Sequence, residues 1–422
     1  MTHRLSQRML LGLVVGAGLG TLAHFVAPDS ARVEAIVAYG TAPIGAIFLR
    51  LLSMLVIPLI VPALALGVAS LGDLGKLGRL GLRFLLYTVA VSGTAVALGV
   101  ALVEIVGPGR GMDPELVAKL RASTTVAQAP SPLADRSGAD FFVQLVPSNP
   151  VAALANGDML AVMVFSLLLG VGLAAVRTDA ARRLEDALQG LYDVVMWLLA
   201  VVIRLAPLGV ACLLFTTTAR LGYEVLGELA AYVAVVVGGL AIHMLVTYSA
   251  SVRWLGGMDP LFFFRAIRPA MLTAFSTASS NATLPTALLV AENELHLPAH
   301  VSRFVLTIGS TANQNGTALF EGVTVLFLAQ LYGVDLSLGQ QLAVVGVCVL
   351  GGVGTAGVPA GSIPVIAMIL GMVGIPPEAI GLILGVDRFL DMCRTTVNVT
   401  GDLAAAVVVA RGEEAHPNPE PG

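Results

Sequence analysis

The stretch from Asp387 to Asp402, DRFLDMCRTTVNVTGD, carries six groups able to bind solutes or ions: Asp387, Asp391, Arg394, Thr395, Asn398 and Asp402. At 100° per residue they fall within roughly 100° of one another, over about 22 Å of one helical face. Apolar sequence precedes the stretch (IGLILGV) and follows it (LAAAVVVA), which predicts a membrane-spanning helix. A charged residue at the centre of such a helix costs about 2.5–3.5 kcal/mol on insertion scales. Several on one face therefore point to a polar site lined by protein. The planar guanidinium of Arg394 matches a carboxylate bidentately, and that carboxylate can be a ligand's or that of Asp391 or Asp387. Asp391 is then either its partner or an acceptor for a ligand ammonium. Both signs on one face suit a zwitterion with an extra carboxylate. Asn398 and Asp402 are hard oxygen donors one turn apart, and Asn313 adds another from an earlier helix. Such a set suits a small hard cation, or plain interhelical hydrogen bonding.

Three other motifs carry polar groups into apolar surroundings. In STANQNGTALFEG (Ser310 to Gly322), Glu321 stands two turns beyond Asn313 on one face, with Thr317 between them. A poorly solvated carboxyl there is a candidate proton carrier; the alternative is a residue at the wet mouth of a site. FSTASSNATLP places Ser279, Ser280 and Thr283 in a run of small polar residues closed by Pro285. These hydroxyls can satisfy their own broken backbone, while the amides of a half-helix end suit a carboxylate. GGVGTAGVPAGS, with Gly351, Gly352, Gly354, Gly357, Pro359 and Gly361, is the last motif. His243 is expected to be a hydrogen-bonded packing residue, and Arg204 and Pro207 to be structural. Arg388 lies about 100° off the polar face and has no evident role.

The elements that must position these groups follow from composition. Of 422 residues 57% are hydrophobic and 12% charged, with mean hydropathy +0.89. Soluble proteins carry about 25% charged residues, so the chain is expected to be an all-α polytopic membrane protein. The net charge of −4 comes without a basic stripe and gives no sign of a nucleic-acid partner. Cys212, Cys348 and Cys393 show neither metal-ligand spacing nor a disulfide framework. No Ser/Lys dyad or HExxH motif suggests an enzyme. The N-terminal run lacks a convincing cleavage site and is expected to be an uncleaved first helix.

Apolar runs at about 8–27, 39–71, 81–106, 157–176, 187–217 and 224–252 are each long enough to span about 30 Å of hydrocarbon. Several exceed the roughly 20 residues needed, which predicts tilted or overlong helices. Basic residues gather in alternate connections: Arg4 and Arg8; Lys76, Arg79 and Arg83; Arg177, Arg182 and Arg183; Arg253, Arg265 and Arg268. The positive-inside rule puts these, and the N-terminus, in the cytoplasm. The opposite connections (Asp29 to Glu34, Gly107 to Asp140, Arg220 to Glu228) are mixed or acidic, and the second is expected to be a mobile external loop. Residues 412–422 are expected to be a disordered tail. Beyond residue 258, two segments, Ala270 to Glu292 and Leu342 to Ile369, have apolar arms around a tip unsuited to regular helix. Each precedes a helix with a polar motif, an inverted-repeat pattern that points to a transporter site near the midplane or to a gated channel.

The motifs are also familiar as a set. ASSNATLP resembles the serine-rich first hairpin of the dicarboxylate/amino acid:cation symporters, the glutamate transporter family. NQNGTALFEG resembles their NMDGT helix, GTAGVPAGS their second hairpin, and DRFLDMCRTTVNVTGD their last helix. Phe48 to Leu71 is similar to their second helix. The resemblance covers nearly the whole chain in order. It implies eight transmembrane helices plus two re-entrant hairpins in a homotrimeric, elevator-type transporter of the cell (inner) membrane, surrounded by membrane lipid. Residues 1–254 would be mainly scaffold, with helices 3 and 6 moving with the transport domain, and 255–411 the core transport domain. The second hairpin would be the gate.

By the same resemblance Arg394 would hold a substrate side-chain carboxylate and Asp391 its amino group. Asn398, Thr317, Ser280 and the backbone near Val358 would hold the α-carboxylate and amino group, with Ser279 and Thr395 alongside. One sodium site would use Asn313, Asp402 and carbonyls of Gly309 and Asn398. A second would use carbonyls near Thr311, Gln314, Gly352, Val353 and Thr355. The sequence departs from the family in having Asn315 for the NMDGT aspartate and Gln314 for its methionine. The third-helix residues of a third sodium site in archaeal members align with Thr88, Val91 and Ser92, so that site lacks its anionic ligand. Glu321 matches the glutamate that animal members are thought to protonate. The arginine found in archaeal first hairpins is Ala278 here, and the last-helix alternative of animal members is Met392. Family members for neutral amino acids generally lack an arginine at position 394, and those for C4-dicarboxylates lack an aspartate at 391. The chain is thus expected to take up aspartate or glutamate with few sodium ions and a proton as the candidate compensating ion. A C4-dicarboxylate or neutral amino acid symporter, and an ion channel, are the competing expectations.

Overall fold

In a computed structural model, residues 2–27, 30–70, 74–111, 146–156, 159–176, 178–222, 224–354 and 361–413 are described. Val358, Thr355, the tail beyond 413 and most of the predicted external loop lie outside the described residues. All regular elements among those described are helical, as the composition predicts.

The first half contains α1 (Thr2–Val26), α2 (Ala31–Ile36), α3 (Ala42–Met54), α4 (Val56–Ser70) and α5 (Leu74–Val106). It continues with α6 (Pro150–Asn156), α7 (Met159–Ala175), α8 (Asp179–Arg204), α9 (Ala206–Leu221) and α10 (Glu224–Ile242). Leu80–Val106 and Leu226–Gly256 are each long and apolar enough to cross a membrane, and α8 with α9 forms a third such stretch bent by 55°.

Two of the expected overlong helices are in fact broken. The run 39–71 gives α3 and α4, which part at Leu55, and the run 187–217 gives α8 and α9, which part at Leu205. The cause is the same in both. A proline ring removes its own amide donor and clashes with the carbonyl four residues earlier. Pro58 therefore ends α3 at Met54, and Pro207 ends α8 beside Ile203 and Arg204. The helix α1 packs along α9 through Gly12, Gly16 and Gly20, which meet the carbonyls of Pro207, Ala211 and Phe215. Only the absence of a side chain permits that approach, a small-residue contact typical of membrane helices.

After α10 the helix continues in two wider turns, His243–Tyr248 and Ser251–Gly256, with π-type hydrogen bonding. Such turns insert an extra residue and re-aim the side chains that follow. They point Tyr248 and Ser251 into the protein, where both are buried.

The second half holds α11 (Pro260–Ala266), α12 (Arg268–Thr277), α13 (Ser280–Asn293), α14 (Ala299–Ala312) and α15 (Asn315–Leu331). Then come α16 (Leu338–Gly354), α17 (Ile363–Met372), a 3₁₀ segment (Pro377–Leu382) and α18 (Leu384–Ala410). Packed around α18 are α12, α14, α15 and the turns after α10. This puts the polar face of the last helix at the centre of the half.

Two details of the tips differ from expectation. The break in the first interrupted segment is at Ala278 and Ser279; Pro285 sits inside α13 and closes nothing. In the second, Gly351, Gly352 and Gly354 complete the last turn of α16, because a glycine-rich run can stay helical when its neighbours pack closely.

Candidate functional site

All six polar residues of α18 are buried, Arg394 and Asn398 to 1% exposure. Arg394 Nε donates to Asp391 Oδ1 at 3.0 Å, and its Nη1 donates to Asp387 Oδ1 at 2.9 Å. Of the two sequence readings of Arg394, internal pairing is therefore present. It does not exhaust the group, since Nη2 is buried with no hydrogen-bond partner among the described residues. The guanidinium also lies over the ring of Phe320, 4.1 Å from its centroid. Arg388, without a role on the sequence, reaches Asp391 Oδ2 at 3.5 Å. Asp391 thus stands between two arginines.

Asn398, one turn along, fastens α18 to the broken entry of α15. Its Oδ1 accepts from the backbone amides of Gly316 (2.7 Å) and Thr317 (3.2 Å). Its Nδ2 donates to Gln314 Oε1 at 2.6 Å and to Thr317 Oγ1 at 3.0 Å. The chain between α14 and α15 is non-helical at Asn313 and Gln314, with ψ angles near +60°. Such a break leaves amides and carbonyls bare, and side chains of α18 answer them. Gly316 fits because a Cβ there would come within 2.7 Å of the Arg394 carbonyl.

Asp402 lies a further turn on and accepts from Asn313 Nδ2 at 2.9 Å. The Asn313 Oδ1 is buried without a partner, and Gly309 lies against the Asp402 carboxylate. One carboxylate and one orphan amide oxygen form a donor set that fits a small hard cation. In the second expected set, Gln314 N–H donates to the Gly352 carbonyl at 3.2 Å, joining α16 to the break. Gln314 Nε2 donates to the Ser310 carbonyl at 2.8 Å, and Thr311 Oγ1 to that of Ile308 at 3.1 Å. Val353 is in the last turn of α16.

The first hairpin turns at Ala278, held in the left-handed region (φ 49°), where a residue with a side chain is strained. Ser279 caps α13, its Oγ accepting from Ala282 N–H at 3.2 Å. Thr283 donates back to the Ser279 carbonyl at 2.8 Å. These two satisfy their own backbone. Ser280 does not: its hydroxyl is buried and has no partner among the described residues. Ser362, the residue that precedes α17, has a buried hydroxyl in the same condition. Thr395 and Thr317 are buried on facing sides of the α18–α15 contact. Glu321 is fully buried, with an oxygen against the backbone of Gly351 on α16.

A separate, uncharged cluster sits behind the break. Ser92 Oγ donates to Asn315 Oδ1 at 2.5 Å, Asn315 Nδ2 donates to the Tyr248 hydroxyl at 3.2 Å, and that hydroxyl donates to the Val397 carbonyl at 3.1 Å. The amide of Asn315 is used at both ends. Thr88 is buried nearby on α5 with an unpartnered hydroxyl. His243 packs edge-on to Tyr248, centroids 4.8 Å apart, but neither ring nitrogen has a hydrogen-bond partner. The expectation of a hydrogen-bonded histidine is corrected to that extent. The ring is wedged among helices by its apolar faces.

Phe320 and Tyr248 were missed as candidate site residues. Phe320 carried a signal, since it stands three residues after Thr317, on the face that meets α18. Tyr248 carried none, because the wide turns that aim it have no sequence signature.

Comparison with known proteins places these residues in context. A proton/glutamate-aspartate symporter of Escherichia coli strain K12 is 33% identical over 97% of this chain and 93% of its own length. A proton/sodium-glutamate symport protein of Bacillus subtilis strain 168 is 33% identical over 97% and 92%. A C4-dicarboxylate transport protein of Granulibacter bethesdensis is 31% identical over 97% and 90%. Residues 5–412 match the model of the sodium:dicarboxylate symporter family, and the chain belongs to that family.

Proposed function

We propose that this protein takes up acidic amino acids, aspartate and glutamate, by symport with sodium and with a proton as a further coupled ion. The observation that carries the reading is Arg394: a buried guanidinium fixed by Asp387 and Asp391 with one nitrogen left over. That nitrogen takes the substrate side-chain carboxylate, and Asp391 takes the ammonium. The α-carboxylate and amino group go to Ser279, Ser280, Thr317, Thr395 and the backbone at Val358, with Asn398 exchanging its side-chain bonds to Gln314 and Thr317 for the substrate. A bare C4-dicarboxylate offers Asp391 no ammonium, and a neutral amino acid offers Arg394 no side-chain anion.

Sodium occupies a first site at Gly309, Asn313, Asp402 and the Asn398 carbonyl. A second lies at the carbonyls of Thr311, Gln314, Gly352, Val353 and Thr355. Filling the first site puts a cation one turn from Asn398, whose side chain holds the α15 entry in place. Ion and solute thus act on one joint from opposite sides. Glu321 carries the proton; it is fully buried, with an oxygen against the backbone of Gly351 on α16.

The architecture we infer has eight spans and two re-entrant hairpins, α12–α13 and α16–α17, in a homotrimer of the cell inner membrane. The N-terminus is cytoplasmic, by the arginine distribution. Residues 255–411, with the third and sixth predicted spans (residues 81–106 and 224–252), move as an elevator against a scaffold drawn from the rest of 1–254, and the second hairpin is the gate.

Labelled aspartate uptake into proteoliposomes, with sodium and pH gradients imposed separately, tests the reading. Uptake should follow a sodium gradient and be competed by glutamate more strongly than by succinate or alanine. If neither gradient drives either amino acid, the assignment is wrong. The Glu321→Gln variant should retain sodium-driven uptake and lose its response to a proton gradient; an unchanged response removes Glu321 as the carrier.

A further inference from the structure

We propose that the connection joining the wide turns after α10 to the first hairpin is an anchor for anionic phospholipid headgroups of the cytoplasmic leaflet. It rests on the membrane orientation given above, and on neither the substrate nor the ions.

Over sixteen residues, from Arg253 to Arg268, the chain presents three exposed arginines, Arg253, Arg265 and Arg268. Among the described residues none of them makes an ion pair. One aspartate shares the stretch, Asp259, and its carboxylate is used as the cap of α11, accepting from Phe262 N–H at 2.9 Å. Between the arginines stand Trp254 (74% exposed), Leu261 (68%) and Phe262 (46%). At 100° per residue, Leu261, Phe262 and Arg265 share one side of α11, within about 100°. Phe263 and Ile267 occupy the other side and are completely buried. A helix with apolar residues on both sides, and its one arginine on the outer one, suits the boundary between headgroups and acyl chains.

The presentation is rigid. Gly257 turns the chain at φ 73°, and Met258 N–H donates back to the Val252 carbonyl at 3.1 Å. Arg411, from the end of α18, donates to the carbonyls of Trp254 and Leu255 at 2.8 and 2.9 Å. Arg411 is thus occupied with backbone, and Arg83 pairs with Glu413 at 3.4 Å. Arg253, Arg265 and Arg268 are left for phosphate, which a guanidinium holds bidentately. Tryptophan is characteristic of membrane–water interfaces, and the cytoplasmic leaflet carries the anionic lipid.

The chain has two tryptophans, so Trp197→Phe leaves Trp254 as the sole reporter. The Trp197→Phe protein, reconstituted at a fixed ratio of phosphatidylglycerol to phosphatidylcholine, is compared in two preparations, with acyl-chain bromine on one lipid or on the other. Brominated phosphatidylglycerol should quench Trp254 at least threefold more at equal mole fraction, and raised salt should diminish the excess. Arg253→Gln, Arg265→Gln and Arg268→Gln together should abolish it, each arginine contributing up to about fivefold to partitioning. Equal quenching by the two lipids overturns the proposal. So does quenching by neither, which would mean that protein covers the segment. The comparison in the Trp197→Phe protein decides without the arginine variants should these fail to fold. A failure of amino acid uptake would leave the fluorescence result intact.

Discussion

Two buried polar clusters flank the α15 break, and they differ in one respect. Behind it, Ser92, Asn315 and Tyr248 form a neutral chain that ends on the Val397 carbonyl, with both ends of the Asn315 amide engaged, while the neighbouring Thr88 and His243 keep buried polar atoms unpartnered among the described residues. In front of it, Asp387, Arg394 and Asp391 form a charged group with Arg394 Nη2 spare, and Asn313 Oδ1 and the Ser280 hydroxyl spare nearby. Buried polar groups are nearly always paired in folded proteins. A closed cluster therefore holds helices together, while an open one is completed by something that comes and goes. Burial alone does not separate the two, since both are almost entirely inside.

The largest test of this contrast is Arg394→Ala. Asp387 loses its ion-pair partner and Asp391 one of its two arginines, and breaking a buried pair costs about 3–5 kcal/mol. Aspartate binding should fall more than a hundredfold, and binding of a neutral amino acid much less; equal losses would deny Arg394 its place as the side-chain clamp. Asn315→Asp probes the closed cluster. Its new oxygen would face the lone pairs of a tyrosine hydroxyl already committed to Val397, which should destabilise the fold by about 1–3 kcal/mol. The melting temperature in detergent should drop, and sodium should restore part of the drop. A variant as stable as the parent, with or without sodium, would show that the cluster is not closed. Phe320→Leu is the mildest. Losing the ring under the guanidinium should weaken aspartate binding by about 0.5–2 kcal/mol, with no change in the sodium dependence of uptake. A shift in sodium dependence instead would place Phe320 with the ions.

The polar face of α18 was legible in the sequence because its spacing is helical and its surroundings are apolar. So were the two interrupted segments, whose small and glycine-rich runs stand out. The breaks at Leu55 and Leu205 were masked by continuous hydrophobicity, although Pro58 and Pro207 carried the information. The wide turns from His243 to Gly256 were not legible, because an extra residue per turn leaves no mark on residue type. Arg388 looked misplaced only when helical angle was counted without side-chain length; an arginine reaches a carboxylate three residues on across an offset of about 60°.

Asn398 has a consequence for how this protein tolerates change. An asparagine side chain offers two lone pairs and two N–H bonds, and all four are committed here. Aspartate has the shape without the donors, and serine or alanine cannot span the gap to both Gln314 and Gly316. Asn313, by contrast, retains an unused oxygen. In a saturation library selected for uptake, position 398 should therefore accept a single amino acid, while position 313 should accept any small oxygen donor.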